Sequence, residues 1–242
     1  MRKNLCRLYY LLRYGGWCYV WVGILSRVLG HEKSRKILYR KAKTFDASEY
    51  ENEIVKMYAL IYGKKLDLKN PLTFSEKIQW LKVNDSTPLK AILADKYLVR
   101  EWVQEKIGEQ YLIPILGVWD AFEEIKIDEL PQSFVLKANH GSGWNVVVKD
   151  KRQINRKEVQ RKFDEWLSLN FALLEGYELQ YLNIPPKIIA EEYIEDFNDN
   201  LYDYKIYCFN GNPEYIQVVG DRDLATHKGK QAFYNTQWIK QP

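Results

Sequence analysis

The spacing of apolar residues in the first third of the chain is typical of helices. Between residues 33 and 68, Ile54, Met57, Tyr58 and Ile61 recur three or four positions apart, which places them on one face of a helix. The segment as a whole predicts a helix, a break and a second helix, with these four side chains buried.

Two further helices are predicted before residue 110. Thr73 precedes Glu76 by three positions, which is the spacing of a capping box, so a helix should run from 74 to 83. Between 91 and 107 the apolar residues again share one face, and Arg100 points away from it. This second stretch predicts a single amphipathic helix with Arg100 in solvent.

The second half of the chain is richer in strand patterns. A helix is expected over about 157–174, and β-branched or alternating runs predict strands over 113–118, 134–137, 145–149, 187–194, 201–209 and 214–219. Asn210-Gly211 separates the last two strands, which is a hairpin signal. The strands 201–209 and 214–219 are therefore expected to form an antiparallel pair.

A glycine-rich loop connects the predicted strands 134–137 and 145–149. Gly141, Ser142 and Gly143 lie in it, so backbone N–H groups can approach an anion without obstruction by Cβ atoms. It lacks both the Gly-Lys-Ser/Thr of a Walker A loop and the GxGxxG of dinucleotide folds. The loop fits a phosphate-binding hairpin, and it also fits an ordinary turn.

Acidic and basic side chains cluster on two later strands. Glu191 and Glu192 end a hydrophobic run, while Asp203 and Lys205 stand two apart and so project from the same face of their strand. Such a pair can serve a substrate site or act as an ordinary cross-strand stabiliser.

Charge and cysteine content narrow the function classes. Residues 1–43 hold eleven Lys or Arg and one acid, which gives +10, so the net +4 of the chain leaves −6 for the remainder. A basic face for nucleic acid is therefore not expected in the main body. Three distant cysteines without a CxxC spacing favour a reducing, cytoplasmic location.

The apolar, aromatic stretch 14–25 is too short for a confident membrane span, and extending it to residues 8–29 encloses Arg13 and Arg27. One interpretation is an interfacial anchor at the inner face of the plasma membrane, with the arginines facing anionic lipid. The other is a helix packed on the main domain.

Six segments taken together resemble a known family. PLTFSEKIQWL, LADKYLVREWV, YLIPILGVWD, FVLKANHGSGWNVVVKDK, IIAEEYIED and DYKIYCFNGNPEYIQV look like successive blocks of the TupA-like ATP-grasp proteins, named for a protein of teichuronopeptide biosynthesis. The resemblance covers about residues 68–238. It implies an ATP-grasp-like α+β fold of two lobes with antiparallel sheets and flanking helices. We expect a basic, partly apolar helical region at 1–67 and the ATP-grasp-like domain at 68–242.

The resemblance also implies site roles: two phosphate-binding lysines, a flexible lid, a hinge that reads adenine, and a catalytic pair near the phosphate or the acceptor. In this sequence the phosphate-binding lysines would be Lys96 and Lys137, and the lid would be His140, Gly141, Ser142 and Gly143. The hinge would be Glu191, Glu192 and Ile194, and the catalytic pair would be Asp203 and Lys205. By its position alone, Lys96 would be a solvated residue of the predicted helix.

The implied activity is that of an ATP-dependent carboxylate–amine ligase in bacterial cell-surface or capsular polysaccharide biosynthesis. Its partners would be ATP, Mg²⁺ and a sugar- or amino-acid-containing polysaccharide precursor. The family's magnesium ligands lie on a late strand pair, whereas no acid follows Asp223 in this sequence, so no residue is assigned to the metal. We therefore expect a C-terminally truncated domain with weak catalysis unless another chain supplies the remainder.

Two alternatives belong to other functional classes. Asp221-Arg222-Asp223 follows a predicted strand, and an Asp-x-Asp triplet there could hold a metal against the diphosphate of a nucleotide sugar, as in a glycosyltransferase. The third hypothesis is a non-catalytic scaffold in a polysaccharide assembly complex. A preference for ATP over UDP separates the ligase from the glycosyltransferase.

Overall fold

The computed structural model describes residues 31–194, 202–221 and 229–242, together with the single positions 12, 13 and 21. Most of segment 8–29, as well as Arg222 and Asp223, lies outside the described residues, so the predicted membrane contact and Asp-x-Asp site stay predictions. Within the described ranges, no helix is both long and apolar enough to cross a membrane.

The chain divides into two compact units, Met1–Glu192 and Tyr193–Pro242. In the first unit the described helices are α1 His31–Ala42, α2 Tyr50–Tyr62, α3 Phe74–Asn84, α4 Pro88–Ala94, α5 Val99–Ile107, α6 Arg156–Leu167 and α7 Phe171–Leu174. Its strands are β1 Ile115–Trp119, β2 Phe134–Ala138, β3 Asn145–Val148 and β4 Ile188–Glu192. The second unit contains β5 Asp203–Phe209, β6 Asn212–Gly220 and β7 Lys230–Asn235. The predicted α+β class with antiparallel sheets is confirmed.

The first two helices and the capping box form as predicted. The Thr73 side chain accepts from the Glu76 N–H, and the Glu76 carboxylate accepts from the Thr73 N–H at 2.8 Å. Ile54 and Tyr58 are buried, but Ile61 is 54% exposed. The expectation for Ile61 was wrong, because Ile61 lies in the last turn of α2, which ends at Tyr62 and is capped by Gly63.

The predicted helix over 91–107 is wrong, because the chain leaves helical geometry between α4 and α5. Asp95 has an extended backbone, and its Oδ1 accepts from the N–H groups of Tyr97 and Leu98 at 2.8 and 3.2 Å. A carboxylate that accepts from the next backbone donors competes with helix continuation. Arg100 consequently faces the protein rather than solvent.

The stretch 157–174 likewise forms two helices instead of one. Asn170 Oδ1 accepts from the Ala172 N–H at 3.1 Å, so it caps a new short helix. The sequence signal for this break is the N-cap preference of asparagine.

The four-stranded sheet of the first unit has the order β1-β4-β2-β3 with all pairs antiparallel. One face forms the main core, in which Phe134 and Leu136 of β2 pack with Ile188 of β4 and Phe163 of α6. Side chains alternate across a strand. The other face therefore carries the intervening residues of β2 and β4, among them Lys137 and Glu191.

A second core cluster joins the N-terminal helices to a later segment. Ile54, Tyr58 and Leu66 pack with Tyr177. Residues on both sides of position 67 thus contribute to one apolar cluster, and the predicted boundary there stays a prediction.

The second unit is a sheet of order β5-β6-β7. Asn210 and Gly211 both adopt positive φ, 50° and 83°, and confirm the predicted hairpin turn. Strand β7 was not predicted, because no short turn signal precedes it: the connection from Gly220 to Lys230 is long.

Candidate functional site

The site is built around an ion pair on the sheet face opposite the main core. Lys137 of β2 pairs with Ile189 of β4, and Glu191 pairs with Val135, so Lys137 and Glu191 are diagonal neighbours. Lys137 Nζ donates to Glu191 Oε2. The side chain of Lys137 is 25% exposed and that of Glu191 only 8%. This carboxylate is therefore buried in direct contact with an ammonium group.

Arg100 supplies the second contact to the same carboxylate. Its Nη1 lies 3.5 Å from Glu191 Oε1, and its Nη2 donates to the carbonyl oxygen of Ile113. Each oxygen of Glu191 thus faces a different cation.

Lys96 reaches the start of the glycine-rich loop from the break between α4 and α5. Its Nζ donates to the carbonyl oxygens of Ala138, at 3.1 Å, and Gly141. Burial, followed by the nearby Lys137 ammonium, lowers the pKa of Lys96 to about 8, while the carboxylates of Asp95 and Glu191 oppose this shift. Lys96 and Lys137 are close enough to influence each other, and an anion placed between them would relieve the repulsion.

A buried polar link fixes the position of Lys96. Asn139 Nδ2 donates to Asp95 Oδ2 and to the carbonyl oxygen of Pro185, both at 3.0 Å, and its Oδ1 accepts from the Lys187 N–H at 2.7 Å. Asp95 and Asn139 are only 2% and 1% exposed. The link ties the helix break, the loop and the start of β4 together.

His140, assigned to the lid by resemblance, is buried beneath the loop. Its Nε2 lies 3.1 Å from the carbonyl oxygen of Trp166 in α6. Burial is the largest cause that lowers the pKa of His140 below its usual value. Donation from Nε2 to that carbonyl requires the Nε2–H tautomer. Through this hydrogen bond His140 links the start of the glycine-rich loop to α6.

The rest of the loop divides into a packed and an open part. A Cβ atom at Gly141 would lie 2.5 Å from the Trp144 ring, so this position requires glycine. Gly143 has φ +75° with open space around it, and Ser142 is exposed beside it. Trp144 itself stacks on Trp166 at 6.3 Å and meets Phe171 edge-on. The exposed tip at Ser142 and Gly143 is the part of the loop that an incoming ligand can reach.

The hinge residues leave the sheet at the end of β4. Glu192 is exposed, and its N–H donates to the Pro114 carbonyl oxygen at 3.1 Å. Ile194 is 43% exposed. Unlike Glu191, these two residues do not contact Lys137 or Arg100 among the described interactions.

Asp203 and Lys205 lie in the second unit. They share one face of β5, as predicted, opposite Val219 and Gln217 of β6. On the same face, Tyr207 Oη donates to Gln217 Oε1 at 2.9 Å, and Gln217 Nε2 donates to Gln231 Oε1 at 2.7 Å. Asp203 is partly buried and Lys205 exposed.

Three residues of the site were missed by sequence reasoning: Asp95, Arg100 and Asn139. Asp95 and Asn139 are adjacent to the predicted Lys96 and His140, but only their burial reveals their role. Arg100 was placed in solvent because a continuous helix was assumed.

Across the described parts of the chain, no group of three or more His, Cys, Asp or Glu side chains is arranged to hold a metal ion. Because Mg²⁺ at a nucleotide site takes only one or two protein carboxylates besides the phosphates, no residue is assigned to it here.

The two antiparallel sheets with flanking helices, and the cations gathered beside a glycine-rich hairpin loop, define an ATP-grasp-like protein. A family model described as TupA-like ATPgrasp matches residues 76–241, which is more than half of the 242 residues. The chain belongs to the TupA-like ATP-grasp family. At the level of that family it is an ATP-grasp-type ligase that binds ATP. No curated protein sequence and no solved structure matches the chain.

Proposed function

We propose that this protein uses ATP to join a carboxylate of a cell-surface or capsular polysaccharide precursor to an amine. The observation that carries the nucleotide site is the convergence of Lys96 and Lys137 beside Gly141, on a sheet face with a buried counter-ion. Two ammonium groups and an open glycine loop suit a polyphosphate.

In the proposed binding mode, Lys96 and Lys137 neutralise the phosphates while the N–H groups at Ser142 and Gly143 approach them from the loop tip. Glu192 N–H is already used by Pro114, so the main chain of Ile194 is the proposed contact to the adenine edge. Glu191 acts as counter-ion to Lys137, a role added to the hinge function that the resemblance implies.

The proposed reaction has two balanced steps. The substrate carboxylate attacks the γ-phosphorus of ATP, which forms an acyl phosphate and releases ADP; an amine then attacks the acyl carbon and inorganic phosphate leaves. In such transfers the protein mainly positions the reactants and neutralises charge. Asp203 and Lys205 are the proposed catalytic pair, and Mg²⁺ is the proposed metal cofactor, which would supply charge neutralisation to ATP.

The location proposed for this activity is the cytoplasm, at the inner face of the plasma membrane through residues 8–29. The charge of +10 within residues 1–43 supports contact with anionic lipid.

Calorimetric titration of ATP with Mg²⁺ into the 242-residue chain tests the nucleotide site. Wild type should bind ATP, and Lys137→Ala and Lys96→Ala should each weaken binding by about tenfold or more, because a charge-assisted contact is lost. Lys157→Ala is the matched control, because Lys157 is exposed on α6. UDP is the competitor.

The contrary outcomes are distinct. Binding of UDP but not ATP would contradict the ligase hypothesis and support the glycosyltransferase. A folded chain that binds neither nucleotide would support the scaffold. Formation of a hydroxamate from hydroxylamine, a uronic-acid-containing saccharide and ATP would establish the acyl phosphate step.

A further inference from the structure

Glu191 has two cationic partners that arrive from different elements. Lys137 comes from the neighbouring strand and occupies Oε2, whereas Arg100 comes from the first turn of α5 and faces Oε1 at 3.5 Å. The Arg100 side chain is 17% exposed and is additionally anchored on the Ile113 carbonyl oxygen. Nothing in the nucleotide site proposed above requires this arginine.

The charges around Glu191 indicate a function for Arg100. In the unliganded protein Lys137 neutralises Glu191, so a phosphate must compete with a buried carboxylate for the same ammonium group. If Lys137 were the only partner, moving it to phosphate would leave Glu191 charged, buried and unpaired, which is costly. With Arg100 in place the carboxylate keeps a cation when Lys137 turns away.

The two side chains are suited to these different tasks. Lysine carries a compact charge on a flexible four-carbon stem, so it can change partners by rotation. Arginine presents a rigid fork of donors, and Arg100 uses this fork to contact a carboxylate and a backbone carbonyl together. One partner is therefore free to move, and the other is fixed.

We propose that Arg100 is a positioning residue that keeps Glu191 paired while Lys137 transfers from Glu191 to a phosphate of the bound nucleotide. The inference rests on the proposed function and adds a residue to it. Arg100 does not touch the ligand; it lowers the free-energy cost of releasing Lys137.

A double-mutant cycle of ATP binding tests this role with Arg100→Gln and Glu191→Gln in the 242-residue chain. Arg100→Gln alone should weaken ATP binding about tenfold, because the released carboxylate then lacks a partner. In the Glu191→Gln background, the same change should alter affinity less than about twofold, because no carboxylate remains to be paired. Arg100→Lys should recover part of the loss.

Lys106→Gln is the matched control, because Lys106 lies on the same helix and is exposed in a pair with Glu105. It should leave ATP affinity unchanged. Circular dichroism and melting curves confirm that each variant is folded.

Three outcomes overturn the inference. If Arg100→Gln binds ATP as wild type does, Arg100 has no role in the site. If it weakens binding equally with and without Glu191, Arg100 acts on the ligand or the fold rather than through Glu191. If folded wild-type protein binds no ATP, the proposed function fails, and the inference fails with it.

Discussion

Lys96 has a pKa of about 8 because most of its side chain is withdrawn from water beside Lys137. This value lies well below that of an ordinary lysine and close to neutral pH. The protonation state of this one residue therefore controls how much positive charge the candidate site offers to an anion.

ATP affinity is expected to fall as pH rises through 8. Above that pH the free protein holds Lys96 neutral, so ATP binding must also take up a proton; affinity then declines toward tenfold per pH unit. Calorimetric titration between pH 7.5 and 9.5 measures the slope. Lys96→Met should bind more weakly at pH 7.5 and show no such slope. A flat wild-type profile would contradict the assignment of Lys96 to phosphate.

His140 should make stability pH-dependent. Burial lowers its pKa below the usual 6.5, so the unfolded chain takes up a proton near pH 6.5 while the folded chain does not. The unfolded state then binds more protons, and stability falls as pH drops below about 6.5, by at most ~1.4 kcal/mol per pH unit. Urea denaturation at pH 7.5, 6.5 and 5.5 measures this loss.

His140→Gln is the matched variant, because its amide can still donate to Trp166 without titrating. It should lose less stability between pH 7.5 and 5.5 than wild type. Equal losses in the two proteins would assign the pH dependence to other groups.

The break between α4 and α5 and the glycine-rich loop are held together by Asp95 and Asn139. This pair connects two elements that are more than forty positions apart. In this pair the Asn139 amide donates and the Asp95 carboxylate accepts, so a change at either residue should disturb the hydrogen bond.

Exchanging the two residues tests the link. Asp95→Asn places an amide NH₂ donor opposite the Asn139 NH₂ donor, and Asn139→Asp places two carboxylates together. Each single change should therefore lower the free energy of unfolding by about 2–5 kcal/mol. The double exchange restores one donor facing one acceptor and should recover part of this loss, although donation to Pro185 remains missing. Urea denaturation gives the four stabilities. Additive losses would show that the two side chains do not act as a pair.

The two glycines of the loop should differ in their tolerance of alanine. Gly141→Ala forces a methyl group against the Trp144 and Phe171 rings and should cost about 1–3 kcal/mol. Gly143→Ala meets no atom but must keep a positive φ, which costs about 1–2 kcal/mol. Chemical denaturation measures both. A greater loss at Gly143 would contradict the packing described for Gly141.

At the scale of the whole molecule, the two units differ in how much apolar surface they bury. Both large core clusters lie within residues 42–190. In the second unit Val219 is the single buried hydrophobic residue among those described. The stability of the chain should therefore come mainly from the first unit.

A chain of residues 1–192 is expected to unfold cooperatively, because it retains both core clusters and the complete sheet of β1 to β4. Residues 193–242 alone should not fold, since a small sheet without a packed face is marginal at best. Circular dichroism with urea denaturation of both fragments provides the measurement. A cooperative transition in the shorter fragment would show that its sheet is self-sufficient.

Helix caps, turns and strands were largely predictable from the sequence. The capping box at Thr73 and Glu76, the Asn210-Gly211 turn and the strands around the glycine-rich loop depend on backbone geometry within a few residues, so short patterns suffice. The family resemblance, which covers about residues 68–238, is confirmed by the family model over residues 76–241.

The contacts within the site required the tertiary structure. Periodicity placed Arg100 in solvent and Lys96 on a continuous helix, because it carries no information on the capping bonds that Asp95 makes instead. Whether a polar side chain faces water or a partner distant in sequence depends on which strands and helices meet. The sequence by itself therefore determined the fold class and the family, whereas only the folded chain decided that Glu191 lies between Lys137 and Arg100, because that arrangement depends on long-range packing.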